Sequence, residues 1–423
     1  MDHFTYRDGI LHAEDIALTA LAEQVGTPFF VYSAATLTRH YTVFAGAFEK
    51  VGLDATVCFA TKTNGNRAVI GLLGKLGAGA DVVSGGEMRQ AMEAGIPASK
   101  IVFSGVGKTK DEMEAALKAG IFQINVESEP ELELLSATAA SLGLVAPIAL
   151  RVNPDVAVDT HAKITTGKKE NKFGIDWDRA PEMFAKAAAL PGIAVKSVAV
   201  HIGSQILDLA PFEAAFTKLA DLVRLLRTQG VVLERIDLGG GLGIPYRRGV
   251  DSDSPPPDDY AAMVKRALGD LDLKVVLEPG RLIAGNAGML ISKTLYVKKG
   301  ESRTFLILDA AMNDLIRPAM YEAYHDLVPI TQPDPAAGTQ PYDVVGPVCE
   351  TGDTFAKDRP LPPMAAADLI AFATAGAYGA VMSSTYNGRP LAPEVLVSGD
   401  RFHVIRRRPS FEEMMSLESV PDW

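Results

Sequence analysis

Cysteine is scarce in this chain of 423 residues: Cys58 and Cys349 are the two present, too few for a disulfide framework, so a reducing compartment is expected. Positive charge is short as well. Lysine plus arginine number 41 against 52 aspartates plus glutamates, a net charge of −11, which offers no basic stripe to a phosphate backbone and argues against nucleic acid as a partner. The histidines are scattered, with neither an HExxH pair nor a Cys/His cluster, so no metal site is expected. The opening MDHFTYRDGI lacks a basic region followed by an apolar run, and no secretory signal is expected. The longest uncharged run, Leu369 to Gly388, is long enough to cross a bilayer but carries Ser383, Ser384, Thr385 and Asn387. It reads as a buried strand followed by a polar loop, which leaves no membrane segment and a cytoplasmic protein as the expectation. What remains is ordinary globular composition, 48% hydrophobic and 22% charged, in a chain long enough for one large domain and a smaller one.

From Ala55 onward a unit repeats: an apolar run ending in polar or glycine residues, then a segment with helical spacing. The runs TVCFATK, ADVVSGG, KIVFSGV, FQINVES, IALRVNP, VAVHIGS, RIDLGGG and VVLEPGR make about eight, the strand number of a closed parallel (β/α)8 TIM-type barrel. An open doubly wound sheet fits the alternation too, but eight successive units without an edge pattern favour closure. Between them, Phe212, Ala215, Phe216, Leu219, Leu222, Val223 and Leu226 share one helical face, and Gly230 can close that helix. Thr109 with Glu112, and Ser128 with Glu131, have capping-box spacing. After Arg281 short strand-like runs take over (TLYVKKG, TFLILDA, YDVVGPV, LIAFATA, VLVSGDRFHVI), joined by Pro-rich turns. The expectation is a C-terminal all-β domain over 282–423, of sandwich or Greek-key type, completed by an N-terminal segment over 1–30, with the barrel over 31–281. The acidic DSDSPPPDD connection, Asp251 to Asp259, reads as a solvated loop.

In such barrels reactive groups cluster at the carboxyl ends of the strands, and these runs end in Lys62, Ser84, Ser104, Asn125, Arg151, His201, Gly239 to Gly241, and Glu278 with Arg281. Lys62 ends an apolar run with no acidic neighbour in sequence; partial desolvation there would favour the free amine that an imine-forming lysine needs, although a snorkelling surface lysine is the commoner case. The triple glycine Gly239, Gly240 and Gly241 suits either a backbone cradle for phosphate or a tight turn without ligand, and Ile244 excludes a dinucleotide fingerprint. GVGKT, Gly105 to Thr109, mimics the end of a nucleotide loop, but Val102 stands where its opening glycine belongs. Glu278 could keep a heteroaromatic nitrogen protonated while Arg281 takes a carboxylate; a structural Glu–Arg pair is the alternative. His201 could stack on a ring or act as an acid or base, although alone a satisfied core histidine is commoner.

Together these motifs resemble the alanine-racemase-like pyridoxal-phosphate decarboxylases (fold type III), and within them the diaminopimelate decarboxylase family most closely. The resemblance runs through CFATKTN, DVVSGGE, FSGVGKT, ENKFGI, HIGSQI, GGGLGIPY, EPGR, MNDLIRPAMY, GPVCETGD and GAYGAVMSS, nearly the whole chain; MNDLIRPAMYEAYH and CETGD point away from the ornithine and arginine enzymes. Thr63 and Thr351 are small departures that touch no residue with a role. The resemblance implies pyridoxal phosphate as cofactor, Lys62 as the Schiff-base lysine and His201 stacked on the cofactor ring. Ser204, Gly239, Gly240 and Gly241 would form the phosphate cup, with Gly280, Arg281 and Tyr378 nearby, and Glu278 would meet the pyridine nitrogen. It further implies Cys349 as proton donor, for which a buried structural thiol is the alternative; Arg281, Arg317, Tyr321 and Tyr378 toward a substrate carboxylate; and Glu350 toward a substrate amine. The CETGD loop would reach a neighbouring subunit's site, which implies a homodimer. The expected reaction converts meso-2,6-diaminopimelate to L-lysine and carbon dioxide. The rivals are an ornithine or arginine decarboxylase on the same fold, and a non-catalytic cofactor-binding regulatory barrel. The loop from Asp155 to Lys172, with Lys163, Lys168 and Lys169, reads either as a cover for the site or as a solvated connection.

Overall fold

The computed structural model describes residues 2–156, 172–249 and 254–423. Lys163, Lys168 and Lys169, and with them most of the expected covering loop, lie outside the described residues, as does the start of the acidic Pro-rich connection. The chain divides into two compact units, one formed by Thr38–Pro245 and Asp251–Ile283, the other by Met1–Leu37, Tyr246–Val250 and Ala284–Trp423.

The first unit is the barrel. Its strands are Ala55–Ala60, Gly79–Val82, Ile101–Phe103, Gln123–Val126, Ala146–Asn153, Ile193–Ala199, Arg235–Asp237 and Lys274–Leu277, one for each apolar run. Each pairs in parallel with the next, and the eighth returns to the first through Val275↔Ala55 and Leu277↔Val57, so the sheet closes. Parallel strands flanked by helices are covered on both faces, which is why these runs are continuously apolar rather than alternating.

The helices form where the spacing predicts. Ala210–Thr228 buries all seven residues of its apolar face, and Gly230 stands two residues past its end at φ +81°, a left-handed conformation that favours glycine. The Phe212 and Phe216 rings meet the buried Tyr260 edge-on at 5.3 and 6.3 Å. Thr109 and Glu112 form the full capping box that starts Lys110–Ala119. At Ser128 only half of one exists: the hydroxyl accepts from the Glu131 N–H, but the Glu131 side chain turns away to the Glu127 N–H (2.9 Å) and the Lys108 ammonium (2.8 Å). A buried cation outcompetes a local amide for that carboxylate. Lys108, the lysine of GVGKT, is buried with its Nζ 2.7 Å from the carbonyls of Gly105 and Asn125, so it fastens two strand ends.

In the second unit the N-terminal strand Phe29–Ser33 lies between Gly288–Lys299, antiparallel to it, and Glu394–Ser398, parallel to it. The N-terminal segment thus completes the sheet of the C-terminal region, as expected, and the helix Ala34–Lys50 follows the strand directly, the unit boundary falling in its first turn after Leu37. Leu369–Phe372, from the long uncharged run, pairs with Gly288–Lys299 and with Leu327–Pro329, and irregular chain follows it. Not every pair is antiparallel: Thr304–Leu308 also runs parallel to Gln340–Val345. The core packs Phe4, Leu11, Leu18, Phe29, Val31, Ile291, Ala371 and Val395. Among the described residues no helix is long and apolar enough to cross a membrane.

Candidate active site at the barrel strand ends

The first barrel strand ends in the short turn Thr61–Thr63 that carries Lys62. Thr63 Oγ1 donates to the Ala60 carbonyl at 2.7 Å, and Thr61 Oγ1 lies 3.0 Å from the Asp81 carbonyl and 2.9 Å from Glu87 Oε2, which fixes the turn. Lys62 Nζ lies 2.8 Å from Asp81 Oδ2, and the Asp81 side chain is 0% exposed. No acid stands beside Lys62 in sequence; its acidic partner comes from the second strand, which chain order conceals. Desolvation, expected to favour the neutral amine, is countered here by a buried carboxylate. The other oxygen, Asp81 Oδ1, is buried without a hydrogen-bond partner among the described residues.

Glu278 follows the eighth strand, 8% exposed, with Asn125 Nδ2 donating to its Oε1 at 3.3 Å and Ser104 Oγ 3.5 Å away. Asn125 Nδ2 also lies 3.2 Å from Asp237 Oδ2, to which Gln123 donates at 3.0 Å. Burial, then the nearby Asp237 and Asp81, pushes the Glu278 carboxyl well above the usual carboxylate range, with Lys62 and Arg151 opposing. Burial likewise pushes Asp237 up to about 6. Arg151 is held by Glu127 at 2.9 Å. Glu278 is therefore crowded by two further buried acids, Asp237 and Asp81, and Arg151, one of the two cations that oppose them, is already paired with Glu127.

His201 Nδ1 accepts the Gly240 N–H at 3.3 Å, which leaves the hydrogen on Nε2. Burial, then Arg151 and Lys62, holds this imidazole well below its usual pKa, so the ring is neutral: a flat face rather than a proton donor at neutral pH. The glycine run packs against main chain. A Cβ on Gly239 would stand 2.6 Å from the Val200 carbonyl oxygen, one on Gly240 2.3 Å from that of Glu278, and one on Gly241 2.4 Å from that of Gly203. The Gly239 N–H is spent on Asp237 Oδ1 (3.0 Å) and the Gly240 N–H on His201, so the tight-turn reading accounts for much of the motif. Arg281 Nη2 donates to Ser204 Oγ at 3.1 Å, and a Cβ on Gly280 would stand 2.3 Å from Thr63 Cγ2. Lys62, His201, Ser204, Gly239 to Gly241, Glu278, Gly280 and Arg281 all belong to the barrel unit.

Arg317, Tyr321, Cys349, Glu350 and Tyr378 belong to the other unit. Arg317 and Tyr321 open and close the helix Arg317–Tyr321. Cys349 is exposed, which removes the buried-thiol alternative; its N–H donates to Asn387 Oδ1 at 3.0 Å. Asp353 shapes that loop, its carboxylate taking the N–H groups of Met312 (2.7 Å) and Val348 (2.8 Å). Glu350 is exposed beside it, and Tyr378 is half-buried at φ +56°. Both cysteines are free, and burial raises the Cys58 thiol well above its usual value, which leaves Cys349 as the accessible one. Residues that sequence reading missed are Asp81, Gln123 and Asp237; a lone acid or amide inside an apolar strand was the signal for each.

The family described as pyridoxal-dependent decarboxylase, pyridoxal binding domain, matches residues 34–285. Curated relatives named diaminopimelate decarboxylase include those of Zymomonas mobilis, 47% identical over 99% of both chains, and Pseudomonas aeruginosa, 49% identical over 99% of both. The chain belongs to the diaminopimelate decarboxylase family. Among solved diaminopimelate decarboxylases, that of Helicobacter pylori complexed with L-lysine matches with a TM-score of 0.90 at 42% identity, over 95% of this chain and 98% of its own. The diaminopimelate decarboxylase from M. jannaschi matches with a TM-score of 0.94 at 36% identity, over 99% of this chain and 98% of its own.

The barrel residues fit the cofactor of the diaminopimelate decarboxylase family. Glu278 is crowded by the buried acids Asp237 and Asp81, Asp81 Oδ1 lacks a hydrogen-bond partner among the described residues, and a protonated ring nitrogen against Glu278 would supply positive charge to this cluster.

Proposed function

We propose that this protein decarboxylates meso-2,6-diaminopimelate to L-lysine with pyridoxal phosphate held at Lys62. The observation that carries the reading is Glu278, a buried carboxyl crowded by other acids, which is a poor arrangement for the empty chain and a good one for binding a cationic heteroaromatic nitrogen. When bound, pyridoxal phosphate supplies the electron sink for the pair left on Cα as carbon dioxide departs. The chain's own residues do the rest. Lys62 supplies the amine that anchors the cofactor aldehyde. Neutral His201 offers a flat face that adds no charge beside a cationic ring. Asn125 and Ser104 orient Glu278 so that its carboxylate holds the ring nitrogen protonated. Ser204 and the glycine turn take the phosphate, with Gly280, Arg281 and Tyr378 nearby.

Cys349 returns a proton to Cα, and its exposed thiol in the Asp353-braced loop suits that task. Arg281, Arg317, Tyr321 and Tyr378 receive the substrate's distal carboxylate and Glu350 its ammonium. An unpaired buried carboxylate costs several kcal/mol, so the arginines dominate selection against lysine or ornithine as substrates. We further propose a cytoplasmic homodimer in which the Cys349 loop serves the neighbouring subunit. The test incubates the protein with meso-diaminopimelate and pyridoxal phosphate and follows carbon dioxide and lysine together. Equal or better turnover of ornithine rejects the reading, as does borohydride labelling of a lysine other than Lys62.

A further inference from the structure

Arg317 is 6% exposed, and its Nη1 lies 2.8 Å from Nε2 of His325, which is 3% exposed. The other ring nitrogen, Nδ1, lies 2.9 Å from the Ala373 carbonyl oxygen. These two partners assign the tautomer. A carbonyl oxygen can only accept, so Nδ1 carries the hydrogen; a guanidinium can only donate, so Nε2 carries the lone pair. The arrangement is over-determined: the Tyr246 ring meets His325 edge-on at 5.4 Å and also lies under the Arg317 guanidinium at 4.8 Å. Two neighbouring charged groups are directed elsewhere. Arg359 donates to the His325 main-chain carbonyl at 3.0 Å and stacks over Tyr324, while Asp326 accepts from the Tyr324 hydroxyl and the Arg248 N–H.

We propose that His325 is a positioning residue that holds Arg317 for the substrate's distal carboxylate, and that it does so only as neutral imidazole. The proposal rests on the assignment of Arg317 made above. A second proton on His325 sets N–H against N–H and cation against cation in a buried site, so Arg317 must leave its position. The loss falls on binding of a substrate carboxylate rather than on bond breaking, so KM moves and kcat does not.

Two amide substitutions separate the two ring nitrogens. Asn reaches where Nδ1 is and keeps the bond to Ala373 but cannot reach Arg317; Gln reaches where Nε2 is and offers Arg317 an acceptor that does not titrate. In steady-state assays of the holoenzyme on meso-diaminopimelate, H325N should raise KM about ten-fold with kcat within about two-fold, and H325Q should bring KM back to within about two-fold of the parent. Two results overturn the proposal: H325N with the parent's KM, or H325Q as impaired as H325N. Should H325N fail to fold, H325Q decides alone: a KM raised about ten-fold or more there overturns the proposal. A parent that does not turn over meso-diaminopimelate at all rejects the decarboxylase reading itself, a different outcome from any of these.

Discussion

Gly240→Ala tests whether the glycine turn sets the position of the Glu278 carboxyl. The added Cβ would stand 2.3 Å from the Glu278 carbonyl oxygen and 3.1 Å from its carbonyl carbon, both main-chain atoms that cannot rotate aside. An ordinary contact needs about 3.4 Å, so one chain or the other must yield by roughly 1 Å. Gly240 is not at positive φ, so the perturbation is purely steric. Its own N–H is bonded to His201, so moving Gly240 displaces the ring proposed to face the cofactor, and moving Glu278 displaces the carboxyl proposed to meet the ring nitrogen. Overpacking of this kind costs about 1–3 kcal/mol in stability, and a misplacement near 1 Å costs on the order of 100-fold in turnover. Affinity for pyridoxal phosphate, read by equilibrium dialysis, should fall together with kcat/KM. Gly46→Ala is the control: a Cβ there meets nothing within 4 Å inside the helix Ala34–Lys50, so it should be neutral or stabilising. A Gly240→Ala protein with the parent's cofactor affinity and turnover would refute the reasoning.

Cys349→Ala should depress turnover about 100- to 10,000-fold while the absorbance of bound cofactor persists, and unchanged turnover removes this thiol from the chemistry. In cofactor-free protein, Asp237 adds a pH-dependent stability that is complete below its unfolded pKa near 4 and fades as pH rises through about 6. The native state binds the extra proton, so stability falls with rising pH, by on the order of 3 kcal/mol across that window. Denaturant titrations at several pH values should find this slope and its reduction in Asp237→Asn; a slope of opposite sign contradicts the acid cluster. Phe212→Ala, which empties a site packed against Tyr260, should cost about 3–5 kcal/mol in a urea melt, and a loss under 1 kcal/mol would show that the helix face is not packed as described.

Much of the barrel is legible because its signals are local. Eight apolar runs at helix-length intervals, the Thr109 cap and the Phe212 face depend on residues a few positions apart, and each appears as the spacing predicts. What escapes is set by strands that meet in space. Lys62 has no acid nearby in sequence, yet Asp81 pairs with it because the first and second strands are neighbours in the sheet. Glu131 has the spacing of a capping box, yet Lys108, 23 residues away, takes its carboxylate. The glycine run announces close approach, but not that the main chain of residues 200, 203 and 278 is what approaches. Likewise the alternation of the C-terminal runs foretells strands but not the parallel pairings, which follow from which segments lie side by side.

The seat of Phe29–Ser33 between Gly288–Lys299 and Glu394–Ser398 has a consequence for synthesis on the ribosome. This strand emerges before the barrel strands and must wait through the translation of all of them for its first partner, and about a hundred residues more for its second. During that interval the apolar run FFVYS is open to other nascent chains, and a ribosome that stalls between residues 299 and 394 leaves a product whose barrel strands are complete but whose Phe29–Ser33 strand still has one edge unpaired.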